Sequence, residues 1–191
     1  MTTHLARSFL TMTCLAVAVA CRLPAQVIHD APLAKGTLAF DGRATLGNFT
    51  GTTTAVKGQL GGAATIANIT GWVEAATGSL VTGSGKRDRD MYKSLEVEKY
   101  PTMRFDLERI DAAGIQGDSV AVTLYGRFTI HGTSREAEVP GWAWIGTGAT
   151  RFRGALSMDV RDYGVGGLSK MLGMLRMDPK IVVRIDVAFG S

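Results

Sequence analysis

Apolar and polar residues alternate in four stretches of the chain, and this period of two restricts its possible folds more than any other feature. The stretches are 103–108, 120–131, 156–161 and 181–189. Because the side chains of a β-strand point to opposite faces in turn, each stretch predicts a strand with one apolar and one solvated face. Further candidate strands lie at 36–45, 53–61, 63–70, 71–82 and 140–147.

The spacing of these strands predicts an all-β fold. All 24 glycines follow residue 35, which is typical of a chain with many turns. About eight strands at hairpin spacing favour a closed antiparallel β-barrel, since closure leaves no exposed strand edge. A β-sandwich is the alternative. At 191 residues, one domain is expected.

Two segments predict short helices beside the strands. Asp88 to Leu95 precedes an extended Lys-Tyr-Pro stretch, and a helix is expected to end before such a proline. The second segment, Leu168–Met177, repeats apolar residues at helical spacing. These residues are Leu168, Met171, Leu172 and Leu175, with Met174 and Met177 beside them.

The N-terminus has the pattern of a signal peptide. A short cationic start is followed by a largely apolar run over Ser8–Ala20, which is too short to span a membrane as a helix. Cleavage after Ala25 predicts a periplasmic or secreted protein, with residues 1–25 as the signal and 26–191 as the barrel domain. The alternative is a lipoprotein anchored at Cys21. A buried N-terminal helix fits the charge order less well.

Charge and cysteine content exclude several classes of protein. Removal of residues 1–25 deletes two arginines and no acid, so the formal net charge falls from +4 to +2. This charge is too small and too evenly spread for nucleic-acid binding. Cys14 and Cys21 are the only cysteines, so the processed chain has no disulfide and no cysteine metal site. We expect no metal and no cofactor.

Candidate catalytic groups are few. His131 follows an alternating stretch and can act as a general base, but a histidine beside a turn is the more ordinary interpretation. Asp88 and Asp90 resemble a carboxylate pair. They alternate with cations over 86–89, which favours solvated ion pairs instead.

Four motifs in order resemble the YceI-like family of bacterial exported lipid-binding proteins. The central one is TGSGKRDRDM at 82–91, followed by VEKYPTMRF at 97–105. The others are LGNFTG at 46–51, GRFTIHGTSR at 126–135 and RDYGV at 161–165. Each motif alone is weak, but their shared order over about 36–189 is specific. Asp90 stands where the family often has His, and Phe128 where Leu is usual.

The resemblance implies a lipocalin-like barrel that holds a polyisoprenoid or related lipid, such as a quinone tail, without catalysis. An envelope enzyme acting on such a lipid, using His131 or Asp88, is one alternative. Another is an interaction module whose barrel is filled by its own side chains. The oligomeric state is open, with a homodimer as one outcome.

Parity predicts which side chains face the lumen, where they either contact the ligand or simply fill the barrel. These candidates are Leu38, Phe40, Phe105, Leu107, Val122, Leu124, Phe128, Met158, Val160, Val183 and Ile185. We expect the segment Leu168–Met177, through Met171, Met174 and Leu175, to form an adaptable flap over the mouth or a helix packed permanently on the barrel. Candidate head-group contacts are Arg87, Asp88 and His131.

Overall fold

The computed structural model describes residues 28–146, 148–166, 169–170 and 175–190. The strands are β1 (Ala31–Ala44), β2 (Gly47–Thr53), β3 (Val56–Gly61), β4 (Thr70–Ala76), β5 (Thr102–Gln116), β6 (Ser119–Ile130), β7 (Thr133–Gly146), β8 (Ala149–Asp159), β9 (Ser169–Lys170), β10 (Leu175–Arg176) and β11 (Lys180–Gly190). The helix α1 spans Gly85–Ser94, and 3₁₀ turns lie at Ile66–Asn68, Thr77–Ser79 and Val160–Tyr163.

The main sheet closes on itself as an antiparallel barrel. Its strands follow one another as β11, β8, β7, β6, β5, β4, β3 and β1, and β1 pairs again with β11. The strand β2 pairs with the second half of β1, and β3 pairs with its first two residues. The two therefore share one position, which gives an eight-stranded barrel. This closure confirms the predicted barrel over the sandwich.

The barrel has two different ends. The hairpin end carries the β3–β4 loop (62–69) and the β5–β6 and β7–β8 connections. The helix end carries the β1–β2 turn, α1 with its flanking loops (77–101), the β6–β7 turn and the described residues between β8 and β11. We use these two names below.

The β6–β7 turn shows how sequence fixes one of these connections. Ile130 pairs with Thr133, so the hairpin loop has two residues. Both have a positive φ, 52° at His131 and 72° at Gly132, which is the geometry of a type I′ turn. A type I′ turn matches the right-handed twist of the strands, so it leads the chain directly from β6 into β7.

Side chains fill the helix half of the barrel. Val139 is fully buried, and aromatic and aliphatic residues from the 3₁₀ turn at Val160–Tyr163 and from neighbouring segments belong to the same core. The larger contributors are Leu80, Ile130, Val160, Tyr163, Val165, Ile181 and Val183. The helix end is therefore closed by the chain itself.

Two predicted elements are wrong. The segment 63–70 is not a strand: it holds a 3₁₀ turn at Ile66–Asn68 and reaches the sheet only at Thr70. The predicted helix over Leu168–Met177 is replaced, in its described residues, by the antiparallel pair β9 and β10. Glycine within this segment, at Gly173, weakens a helix despite the apolar spacing.

Other predictions hold with shifted boundaries. The predicted helix at Asp88–Leu95 is confirmed as α1, three residues earlier at its start. The stretch 156–161 leaves the sheet after Asp159, and 71–82 leaves it after Ala76. No helix in the described part of the chain combines the length and apolar character needed to cross a bilayer.

Candidate ligand-binding site

A cavity lies inside the barrel, mostly in its hairpin half, and its wall extends on β4, β5 and β6 to Ala75, Met103 and Phe128 near the helix end. The space that the centre of a water molecule can reach inside it is about 80 Å³. Residues of the barrel strands and of the β3–β4 loop form its wall. The inward faces of β5 and β6 run along it from Met103 to Ile110 and from Phe128 to Val122.

The wall carries no charge. None of the described residues that line the cavity is Asp, Glu, Lys, Arg or His. Polar side-chain atoms come only from Gln59, Trp72 and Thr150, and each of these residues is half-buried. Such a wall can bury a long apolar chain without charged partners, and it offers few hydrogen bonds to a polar group.

Seven predicted lumen residues lie on this wall. They are Leu38, Phe105, Leu107, Val122, Leu124, Phe128 and Ile185. Their contact with a ligand remains a prediction, because a position on the cavity wall does not by itself establish that a side chain touches a ligand. The least buried of them are Leu107 and Leu124, near the middle of β5 and β6.

The other predicted lumen residues lie elsewhere. The Phe40 ring packs edge-to-face on Phe49, with centroids 6.0 Å apart. Val160 and Val183 are buried in the helix half, and Met158 lines a separate opening in the wall. Parity could not separate these four from the residues of the cavity wall, because it specifies a face of the strand and not a depth along the barrel axis.

The predicted flap falls largely outside the described residues. Met171, Met174 and the side chain of Leu175 lie outside the described residues. The backbone of Leu175, in β10, pairs with Lys170 of β9. The segment attaches at the helix end, since Met177 bridges to Ala44 at the end of β1. The cavity lies mostly in the other half, so a flap at this position would not cover its hairpin end.

Sequence reasoning missed part of the wall. Ile69 is 2% exposed and Ile66 lies beside it, and both reach the cavity from the β3–β4 loop and not from a strand. Periodicity cannot predict a residue in a loop. Phe152, Val187 and Phe189 could have been found, since the alternation of β8 and β11 points them inward.

The three candidate head-group residues all lie at the helix end, away from the cavity wall. Asp88 accepts hydrogen bonds from the backbone nitrogen of Thr82 at 2.9 Å and from its hydroxyl at 2.6 Å. The Arg87 guanidinium lies 4.4 Å from the centre of the Phe49 ring. These contacts tie α1 to its preceding loop and to β2.

His131 joins the β6–β7 turn to the loop after α1. Its Nε2 lies 2.6 Å from Oε2 of Glu96, and its ring centre is 4.5 Å from that of Tyr100. The His131 side chain is 12% exposed. In the described part of the chain, no three His, Cys, Asp or Glu residues are placed to hold a metal ion. The arrangement is that of a contact between two loops.

Comparison with known proteins points to one family and one fold. The family model described as a YceI-like domain matches residues 30–189. The crystal structure of Burkholderia cenocepacia BcnA is similar with a TM-score of 0.67 at 14% identity, over 80% of this chain and 95% of that one. A polyisoprenoid-binding domain from Saccharophagus degradans, implicated in plant cell wall breakdown, has a TM-score of 0.69 at 15% identity, over 86% and 99%. The curated proteins contain no match.

Proposed function

The chain belongs to the YceI-like domain family, and we propose that it is a binding protein that holds the apolar chain of a polyisoprenoid or a similar long-chain amphiphile in its barrel. The uncharged wall of the cavity carries this proposal. Burial of apolar surface contributes ~25 cal/mol per Å², so a flexible hydrocarbon can bind there without specific polar contacts. The similar Saccharophagus degradans domain is described as polyisoprenoid-binding, which supports the same ligand class.

Entry at the hairpin end suits the distribution of burial along the wall. Ile145 and Thr150, beside the β7–β8 connection, line the cavity and are only half-buried, whereas Phe128 and Met103 near the helix end are buried. Side chains with free space around them change rotamer at low cost, so the wall at the hairpin end can widen as a chain enters. The ligand's apolar chain then lies along the axis of the barrel.

Binding accounts for this site better than catalysis does. The two residues that the enzyme alternative needs, His131 and Asp88, are engaged in contacts between loops at the helix end. A general base must come within hydrogen-bond reach of the proton that it removes. Neither group lies on the cavity wall, so an apolar chain held against that wall does not meet them.

We also propose that the chain is exported by residues 1–25 and that its processed form begins at Gln26. The apolar run at Ser8–Ala20 and the small residue Ala25 support this. Native mass spectrometry of protein expressed from the full sequence in a bacterium reads both the processed N-terminus and any bound lipid. A mass that includes diacylglyceryl on Cys21 would favour the lipoprotein alternative instead.

A cavity-filling variant tests the proposed binding. Ala143 is 6% exposed and lies on the cavity wall, so Ala143→Phe places an aromatic ring in the space meant for the ligand. We expect retention of a co-purified or added prenyl lipid to fall at least about tenfold, since several buried methylene contacts of ~0.8 kcal/mol each are lost. Lipid per protein is counted by native mass spectrometry and by extraction.

The matched control adds the same ring to the outer face. Ala121 lies beside Val122 on β6, opposite Trp142, and points away from the lumen. Ala121→Phe should retain lipid as the unaltered protein does. Equal retention in Ala143→Phe would contradict binding in the cavity, and chemical conversion of an added lipid would favour the enzyme.

A further inference from the structure

The wall of the barrel has a break between β7 and β8. Their ladder joins Gly146–Gly141 to Ala149–Gly154 and ends there. Beyond it β7 continues to Thr133 on β6, and β8 continues to Asp159 on β11. The two strands therefore diverge toward the helix end. We call the opening between them the slot; it is lined by residues 135–138 and 156–159 with Asp162 and Tyr163.

Tyr163 lines the slot and offers it a phenol hydroxyl. The residue is only 4% exposed, and its phenol comes from the 3₁₀ turn at Val160–Tyr163. Within the described ranges its hydroxyl has no hydrogen-bond partner, and it is not among the buried polar atoms that lack one, which are represented there by Thr77 Oγ1; it therefore keeps contact with solvent in the slot. Burial raises the pKa of Tyr163, so the phenol stays neutral and can donate a proton in a hydrogen bond.

One aromatic ring contacts both the cavity and the Tyr163 ring of the slot. Phe128 lies on the cavity wall, and its ring packs edge-to-face on Tyr163 with centroids 6.3 Å apart. On its other side it meets Phe105, also at 6.3 Å. Across the sheet Phe128 is the partner of Arg135, which lines the slot. Phe128 is therefore the residue of the cavity wall that lies against Tyr163 of the slot.

The charges around the slot disfavour an anionic ligand. The carboxylates that line it are Glu136, Glu138, Asp159 and Asp162, and the one cation on its wall is Arg135 among the described residues. Hydrogen bonds from Arg161 lower the pKa of Asp159 to about 2, so this carboxylate stays ionised. Arg135 donates from Nε to the backbone oxygen of Asp162 at 3.1 Å. Arg161 offsets Asp159, but Glu136, Glu138 and Asp162 still outnumber Arg135, so a phosphate would meet excess negative charge and a neutral oxygen would not.

We propose that the slot receives the head group of the bound lipid and that this group is a neutral hydroxyl or carbonyl. The apolar chain lies in the cavity, the Phe128 ring turns aside, and the head-group oxygen accepts a hydrogen bond from the Tyr163 hydroxyl. This inference rests on the proposed function, because it requires a lipid in the cavity. It adds the position and the charge class of the polar end.

Three probes of equal chain length separate the two proposals. These are geranylgeraniol, geranylgeranyl diphosphate and the corresponding hydrocarbon without oxygen, each titrated against the full chain. We expect the alcohol to bind more tightly than the diphosphate. Tyr163→Phe keeps the ring contact with Phe128 and removes only the hydroxyl, so it should weaken the alcohol about fivefold and leave the hydrocarbon unchanged.

The matched control is Tyr125→Phe. Tyr125 lies on the outer face of β6 with Arg109 against its ring, 3.9 Å from the centroid, so the variant should bind all three probes normally. The double variant Glu136→Gln with Glu138→Gln should raise the affinity for the diphosphate and leave that for the alcohol unchanged.

The outcomes are distinguishable. If the alcohol and the hydrocarbon bind but Tyr163→Phe binds the alcohol as tightly as the unaltered chain, the slot proposal is overturned and the binding proposal stands. Tighter binding of the diphosphate than of the alcohol also overturns it. If the unaltered chain binds none of the probes, the proposed function itself fails.

Discussion

Phe40 shows that the alternation of apolar residues does not by itself predict what an inward side chain contacts. Its parity predicts a lumen side chain, and it does lie on the inner face of β1. Its cross-strand partner, however, is Gly51, and the Phe40 ring lies over this glycine. Two positions along, the Phe49 ring covers Gly42 in the same way. Each glycine makes room for the opposing ring, so these two pairs fill the barrel between β1 and β2.

Removing that room should destabilise the fold. In Gly51→Ala the new methyl group would overlap the Phe40 ring, so ring or strand must move. We expect a loss of about 1–3 kcal/mol in the free energy of unfolding, measured by urea denaturation. Gly114→Ala is the control: nothing lies within 4 Å of its added methyl group, and a change within about 0.5 kcal/mol is expected. Equal effects of the two variants would contradict this account of the Phe40 packing.

At the scale of elements, the sequence predicts the positions of strands better than it predicts which strand edges are paired. The predicted strand at 140–147 matches β7 as far as Gly146, yet β7 begins at Thr133, because the preceding residues Ser134–Glu138 are mostly polar and hide the alternation. The slot lies beside this unpredicted half. In this half β7 is paired on only one edge, because β8 diverges from it after Gly154, and no local pattern in either strand encodes that divergence.

The helix α1 depends on one carboxylate. Asp88 lies in its first turn, where a negative charge is favourable, and accepts both hydrogen bonds from Thr82. Asp88→Ala should cost about 1–3 kcal/mol and speed amide exchange across 82–95, because it leaves the partly buried groups of Thr82 without a partner.

Hydrogen exchange followed by mass spectrometry measures this effect. Glu98→Gln, at an exposed position after the helix, should exchange like the unaltered chain. If Asp88→Ala abolished lipid conversion while exchange over 82–95 stayed unchanged, the residue would act as a catalytic base and not as an anchor for α1.

Across the whole molecule, the same β-barrel is hollow at one end and filled at the other. Alternation and motif order were sufficient to predict the barrel and seven residues of the cavity wall. They could not predict this division, because the side chains that fill the helix half include Tyr163 and Val165, which reach it from a 3₁₀ turn and the loop after it. Leu80 enters from another loop, after β4. Such contacts join residues far apart in sequence.

The division predicts where a bound lipid changes the molecule. A ligand that binds only the folded state adds about 2.7 kcal/mol to its stability at a free concentration of 100 times Kd, and the melting temperature rises accordingly. Local protection from amide exchange should then increase on the strands that surround the cavity, namely β5 near Ile110, β6 near Val122 and β8 near Phe152. The β1–β2 turn at Thr45–Leu46, at the opposite end, should exchange as before.

The edges of the slot decide how far this protection extends. With geranylgeraniol bound, residues 135–138 and 156–159 should also gain protection, because the head group would occupy the opening beside their strand edges. With the hydrocarbon of equal length, only the cavity strands should respond. Ala143→Phe should remove both responses without changing exchange in the lipid-free protein. Protection confined to the β1–β2 turn and α1 would instead place the ligand on the helix end and contradict a ligand in the hollow half.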